Sequence, residues 1–467
     1  MSKSFFSLTM PLHSRASFSP CPLIFMAISP YLARRTSRAF SNFKLMSPTK
    51  ETGRVLYRPI QYVERMEYYE PGGYHPVKIG DCFHNRYRVM YKLGHGTYST
   101  IWLARDEIPN TNVAVKVCRA NSSPREIDIL EKLSNPKPSS DTGRAIIPSI
   151  LDKFNIQGPN GTHICLVTRP ARMSVSDAKT ESWIGLFQLK VARAIAAQLV
   201  IAVQYIHSQR LVHGDLHRGN ILFLPSRGFT ELATETIYKE YGEPEFESVN
   251  RLDGQKLPPT GVPEYGVIPI WLGEASENIS LPEARILLSD FDEAFSPAQE
   301  KKFESHTPLL IRPPEARFEP TKSLTFSSDI WSLACTIWDL VAQKTLFEWI
   351  MTDEDDMTCQ QIGLLGPLPI EWQEKHGESI HQSKYQNRSL EGHFEKTVQQ
   401  ARIEARMPSL ESDEQDALLS MLRSMLCFQP EHRPSARQVL ESEWMVNWAL
   451  PEYEKQIIGY LPERPMV

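Results

Sequence analysis

The chain has 467 residues, 41% of them hydrophobic and 23% charged, which fits a soluble globular protein of about three domain-sized units or one large two-lobed body. Its seven cysteines form no CxxC pair, so neither a disulfide framework nor a zinc site is indicated, and no apolar run is read as reaching the roughly 20 residues of a bilayer span. The net charge of −5 hides an asymmetry: residues 1–50 carry seven Lys or Arg and no acid, which leaves −12 for residues 51–467 and argues for basic partners and against direct binding of nucleic acid.

Residues 1–46 are Ser-rich, Arg-bearing and acid-free, with Arg34, Arg35 and Arg38 close together. That is the composition of a mitochondrial presequence or of a disordered leader, and Met46 offers an alternative start. Residues 47–86 are read as an extension that packs on the body. Apolar alternation through Tyr87–Leu93, a Gly-bearing turn and Ile101–Ala104 predict a hairpin, with Val113–Val117 as a third strand. Ser122-Ser123-Pro124 opens a helix. The strand His163–Val167 runs into a connector at Thr168–Ala171. From Ser182 the character changes: Leu189, Ala192, Ile195, Ala196, Leu199, Val203 and Ile206 recur at helical spacing. Ile330–Ala342 and Ala417–Leu426 also read as helices. The expected class is α+β, with a small β-rich lobe at 87–171, a larger helical lobe at 172–449, a cleft between them and a tail at 450–467. A turn-rich stretch at about 225–285, with Gly242, Pro244, Gly254, Pro258, Pro259, Gly261 and Pro263, is too long for a plain connection and reads as an insertion.

Chemistry is carried by four motifs in order. Leu93-Gly94-His95-Gly96-Thr97-Tyr98-Ser99 lies between two strands, and its glycines let backbone approach a phosphate. Lys116 in Val-Ala-Val-Lys offers an ammonium to phosphate oxygens if a carboxylate steadies it, with Glu126 or Glu131 as the partner. In His213-Gly214-Asp215-Leu216-His217-Arg218-Gly219-Asn220 the Asp and Asn are five apart. Asp215 can orient an acceptor hydroxyl and take its proton, while Asn220 can bind a metal ion. Asp290 follows the apolar run Ile286-Leu287-Leu288 and brings a second metal ligand to the cleft. Downstream, Arg312-Pro313-Pro314-Glu315 resembles the Ala-Pro-Glu that closes a kinase activation segment, a likeness that implies a buried Arg433 as the partner of Glu315 and Asp329 as the acceptor of hydrogen bonds from the backbone around Asp215.

Taken together, these motifs resemble the eukaryotic protein kinases over residues 87–449. The resemblance implies a bilobal kinase fold, ATP and Mg2+ as cofactors, and Lys116, Asp215, His217 and Asn220 as the catalytic set. It implies a nucleotide site built from Leu93, Gly94, Gly96, Ser99, Ile101, Ala114, Lys116, Glu126, Arg169, Ala171 and Leu222, with Asn220 and Asp290 on the metal. A narrower resemblance rests on Gly72-Gly73-Tyr74-His75-Pro76-Val77-Lys78-Ile79-Gly80-Asp81 and on Ser99 at the third glycine position, which are similar to the SR-protein kinases; the Pro-rich insertion is similar to a fungal branch of them. That likeness implies a monomeric serine/threonine kinase of the cytoplasm and nucleus, or of the mitochondrion if the leader is a presequence. Its substrates would be basic, Arg/Ser-rich proteins such as splicing factors, docked on the acidic run Asp353, Glu354, Asp355 and Asp356.

Three positions depart from the kinase pattern: His217 for Lys, Gly214 for the Arg that reads a loop phosphate, and Asp292 for the Gly after Asp290-Phe291. His-Gly-Asp-Leu-His-x-Gly-Asn and Asp-Phe-Asp also resemble small-molecule kinases of the aminoglycoside and choline type. Against that rival stand Gly94, Gly96, Glu315, Asp329 and Arg433. A pseudokinase scaffold is the second rival, although Lys116, Asp215, Asn220 and Asp290 are all present.

Overall fold

The computed structural model describes residues 55–134, 142–348, 352–376 and 388–460. The leader at 1–46, with its arginines and Met46, lies outside the described residues.

A six-stranded antiparallel sheet forms the small lobe, in the order β1-β2-β3-β4-β6-β5. Its strands are Cys82–Phe83 (β1), Tyr87–His95 (β2), Ser99–Asp106 (β3), Thr111–Cys118 (β4), Asp152–Gly158 (β5) and Gly161–Thr168 (β6). Alternation sends Val89, Trp102, Ala104, Val113, Val115, Val117, Cys165 and Val167 into one buried cluster, the burial that a period of two produces. The helix Arg125–Ser134 packs beside the sheet and buries Glu126, Ile127, Leu130 and Leu133. Glu126, Leu130 and Leu133 stand at i, i+4 and i+7, so one stripe carries a carboxylate and two leucines inward.

The large lobe is built around the helices Leu189–Ser208 and Phe326–Val341, both buried over most of their surface. The first corrects the hydropathy reading: its 20 residues include a window of mean hydropathy 1.4, long and apolar enough to cross a bilayer. That window is 83% buried within the protein, and Val191, Ile195, Leu199 and Ile206 belong to the main core. Two short strands, Ile221–Phe223 (β7) and Ile286–Leu288 (β10), pair antiparallel with Leu288 opposite Ile221. Within the tail at 450–467, Leu450–Tyr460 is helical and Gln456 is buried.

The insertion is more ordered than its turn-rich sequence suggests. It contains the helix Thr234–Tyr241 and a hairpin of Phe246–Ser248 (β8) with Tyr265–Val267 (β9). Although it leaves and rejoins the chain in the large lobe, it docks on the small one. Phe229, Ile237 and Leu272 share a cluster with Met90, Tyr91 and Leu103, and Asn112 Nδ2 donates to the Phe229 and Leu232 carbonyls, each at 2.9 Å. Residues 55–80 pack on the insertion, where Tyr57, Ile60 and Val63 cluster with Val249 and the Arg58 N–H donates to the Asn250 carbonyl at 2.8 Å, and Val77 joins the Trp102 cluster on the other face of the sheet.

Candidate active site

Lys116 stands on β4 opposite Ile101 of β3 and Leu166 of β6. Of the two candidate partners, Glu126 forms the ion pair with its ammonium, whereas Glu131 faces outward and pairs with Lys153. Helix phase decides between them, since Glu126 lies on the inward stripe. Lys116 is also 3.9 Å from Asp292. Burial pushes the Lys116 ammonium down, but Glu126, Asp292 and Asp290 outweigh it and hold the group above the usual lysine range.

The pairing of β7 with β10 brings the two prospective metal ligands together. Asn220 immediately precedes β7, and the Ser289 N–H donates to the Asn220 carbonyl at 2.8 Å, next to Asp290. Burial raises the Asp290 carboxyl, with Glu126 and Asp215 adding to the rise and Lys116 and His213 opposing it. All four groups therefore lie within electrostatic reach. Asp290 takes a φ of 67°, a left-handed backbone that few non-glycine residues adopt and that recurs at functional sites.

Asn220 Nδ2 donates to the Asp215 carbonyl at 2.9 Å and, more weakly, to Asp215 Oδ2 at 3.3 Å. His217 Nδ1 accepts from the Gly219 N–H at 3.0 Å, which places the proton of the neutral ring on Nε2, 3.4 Å from Asp215 Oδ2. A Cβ at Gly219 would come within 2.7 Å of that imidazole, so glycine there admits the ring. The other oxygen, Asp215 Oδ1, is buried and has no hydrogen-bond partner.

Asp329, in the first turn of Phe326–Val341, holds the loop from behind. Its carboxylate accepts from the backbone N–H of His213 at 2.8 Å and of Gly214 at 3.0 Å, with His207 Nε2 at 2.9 Å. Burial raises this carboxyl, but His207, His213 and the Gly214 N–H more than compensate and keep it below the usual carboxylate range. Gly214 has φ 79°, and a Cβ there would stand 2.7 Å from the Glu293 carbonyl. That conflict gives the departure from Arg a local physical reason. Arg433 makes a bidentate pair with Glu315 at 2.8 and 2.7 Å, with both side chains almost wholly buried.

The segment between Asp290 and Glu315 is tied down by partners that the sequence did not single out. Arg125 Nε donates to the Ala294 carbonyl at 2.8 Å and its guanidinium pairs with Glu300, while Lys302 and His306 both meet the Glu293 carboxylate. No motif marks these residues, because each contact depends on how the segment folds back.

At the cleft mouth, a Cβ added at Gly94 or Gly96 would meet nothing within 4 Å. Neither glycine has positive φ, so nothing in the chain's own packing or backbone demands them, and they leave room for a bulky anion to approach the backbone. Ser99 and Ala114 are buried in β3 and β4, with Ala114 opposite Thr168. Leu93, Ile101 and Leu222 are half-buried. In the connector Arg169 is exposed, Pro170 buried and Ala171 half-buried; the missing N–H of Pro170 leaves the Arg169 carbonyl and the Ala171 N–H as the available pair.

The acidic run begins a helix. Asp353 caps Glu354–Leu365 by accepting from the Asp356 N–H, Asp355 pairs with Arg317, and Glu354 lies 3.5 Å from Arg312. Part of its charge is thus neutralised within the chain. Among the described residues no cluster of three or more His, Cys, Asp or Glu could hold a metal ion. Asp290 with Asn220 nevertheless suits Mg2+, which takes few protein ligands and completes its shell with phosphates and water.

Residues 87–233 and 276–445 match the sequence model of the family described as protein kinase domain, and the gap falls on the insertion. A serine/threonine protein kinase of Aspergillus fumigatus is 28% identical over 390 residues, covering 82% of this chain and 90% of that one. The serine/threonine-protein kinase SRPK of Physarum polycephalum is 27% identical over 401 residues, 82% of this chain and 91% of its own. Human SRSF protein kinase 3 is 34% identical over 190 residues, 38% of this chain and 32% of its own. A crystallised kinase domain superposes with a TM-score of 0.55 at 21% identity, covering 80% of this chain and 98% of that one, which speaks to the fold.

Proposed function

This chain belongs to the protein kinase family and is a serine/threonine kinase of the SR-protein-kinase type, and from that premise we propose that it phosphorylates serine in basic, Arg/Ser-rich proteins, with Mg2+ as the assisting ion. The observation that carries the chemistry is the orphaned Asp215 Oδ1. A buried carboxylate oxygen normally has a partner, and here the missing partner is the acceptor hydroxyl. In the transfer, that oxygen orients the serine O–H and takes its proton as the hydroxyl oxygen bonds to the γ-phosphorus. The bond from that phosphorus to the β–γ bridging oxygen breaks, and ADP leaves.

Most of the rate comes from positioning and charge. Lys116, steadied by Glu126, holds the α- and β-phosphates, and the Thr97 and Tyr98 backbone covers them. The His217 Nε2 proton, aimed into the Asp215 carboxylate, supplies the donor that a lysine gives elsewhere in the family. Asp290 and Asn220 would hold Mg2+, whose charge offsets that of the phosphates.

The preference for basic substrates is supported by the −12 of residues 51–467 and by Glu354 and Asp355, whose side chains stay 57% and 49% exposed beside their arginines. Cytoplasm and nucleus fit such substrates; comparing where chains tagged from Met1 and from Met46 accumulate tests that placement. The deciding experiment offers the full chain Mg-ATP with an Arg/Ser-repeat peptide, a generic basic protein, choline and an aminoglycoside, beside Asp290→Ala. Label on the peptide, reduced at least about a hundredfold in the variant, is the expected result. Label only on a small molecule, or none while ATP still binds, would overturn it.

A further inference from the structure

The extension at residues 55–80 does more than cover the sheet. Tyr74 is 2% exposed, and its phenol reaches two carbonyls at the tip of the glycine-bearing turn, Gly96 at 2.6 Å and Thr97 at 3.0 Å. The next carbonyl, Tyr98, accepts from the Arg119 N–H at 2.8 Å. Three consecutive peptide oxygens are therefore held on the protein side of the turn. Since the C=O and N–H of a trans peptide point in opposite directions, the Thr97 and Tyr98 N–H groups are turned away from Tyr74.

The phenol is itself held from several sides. The Tyr74 N–H donates to the Tyr68 carbonyl at 2.9 Å, and the Tyr74 carbonyl accepts from Asn160 Nδ2 at 2.7 Å, an amide that also donates to Gly261 of the insertion at 2.9 Å. The Arg119 guanidinium lies 5.5 Å from the ring centre. A Cβ at Gly73 would come within 1.9 Å of the Tyr68 carbonyl, so the turn that delivers Tyr74 requires glycine. Burial and the nearby Glu64 carboxylate raise the phenol well above its usual range, which keeps it a proton donor at any physiological pH.

We propose that Tyr74 is a positioning residue for the nucleotide: by anchoring the Gly96 and Thr97 carbonyls it presents the Thr97 and Tyr98 N–H groups to the phosphates, so the extension sets how long ADP and ATP stay bound. This rests on the kinase reading but does not need the protein substrate. One neutral hydrogen bond of this kind is worth about a 3- to 10-fold change in an equilibrium constant.

The test measures dissociation of a fluorescent ADP, and KM for ATP against kcat, on the full chain. Tyr74→Phe should release ADP about 3- to 10-fold faster and raise KM for ATP correspondingly, without lowering kcat. Tyr87→Phe is the control. It removes a phenol that donates to Asp152 at 2.7 Å in the same lobe, away from the turn, and should leave ADP release unchanged even if it lowers thermal stability. Equal release from Tyr74→Phe and wild type, or equal acceleration in both variants, overturns the assignment and leaves the kinase reading standing. Failure of the wild-type chain to bind the nucleotide at all overturns both.

Discussion

Asp292→Asn should make the protein more stable, by an amount that depends on pH. Asp292 occupies the position where kinases carry glycine, 3.9 Å from Lys116 and with 31% of its side chain exposed. Burial, together with Glu126, Asp290 and Glu293, raises its carboxyl from the usual 3.8 to about 6, with Lys116 opposing them. At pH 7.5 the group is ionised in both folded and unfolded chains, and the folded chain bears the full cost. A carboxyl raised that far costs about 3 kcal/mol in its charged form, and solvent screening at its partly exposed edge reduces the expected gain to ~1–3 kcal/mol. As pH falls through about 6 towards 3.8 the wild-type carboxyl takes up its proton in the folded state first, so the cost disappears and the variant loses its advantage. Thermal unfolding of both proteins without nucleotide, at pH 7.5 and at pH 4.5, measures this. A variant advantage that is unchanged at pH 4.5, or a variant less stable at pH 7.5, would refute the reasoning.

Glu126→Ala should lower kcat/KM about 10- to 100-fold by leaving Lys116 unsteadied, whereas Glu131→Ala removes only a surface pair and should stay within about twofold; steady-state kinetics on the Arg/Ser peptide separates them. Arg433→Leu should cost about 3–5 kcal/mol, because it leaves the Glu315 carboxylate buried without its partner. Denaturant unfolding measures that loss, and a cost below about 1 kcal/mol would show the pair to be solvated in practice.

How far the sequence reaches depends on whether a contact is local. The Asp215–Asn220 spacing, the strand delivering Asp290 and the Lys116 strand were all legible, since each motif fixes its own backbone over a few residues. The choice between Glu126 and Glu131 needed only the helical phase of Ile127, Leu130 and Leu133. The docking of the insertion was not legible: its glycines and prolines mark turns truthfully, but the contact that orders it joins Asn112 to Leu232, 120 residues away. Tyr74 carries no signal of its own in the sequence, because its hydrogen bonds cross 22 and 23 residues to atoms of the backbone, where no side-chain pattern can mark them. In the acidic run the fold takes up part of what the sequence displays. Four consecutive acids look like free charge in a sequence, yet Asp353 caps a helix and Arg312 and Arg317 attend its neighbours.

The insertion has its two ends side by side, for the Leu224 N–H donates to the Arg285 carbonyl at 2.8 Å. A detour that closes on itself transmits little of its own length or sequence to the ladder that carries Asn220 and Asp290. Its middle, however, grips β2 and β4, with the Ile270 N–H donating to the Lys92 carbonyl at 2.8 Å, while Ser276 Oγ donates to Leu186 of the other lobe at 2.9 Å. The insertion thus adds a mooring between the lobes to the connector at 168–171 and to the Arg125 contacts with Ala294 and Glu300. Swinging the small lobe outward would load those anchors in tension.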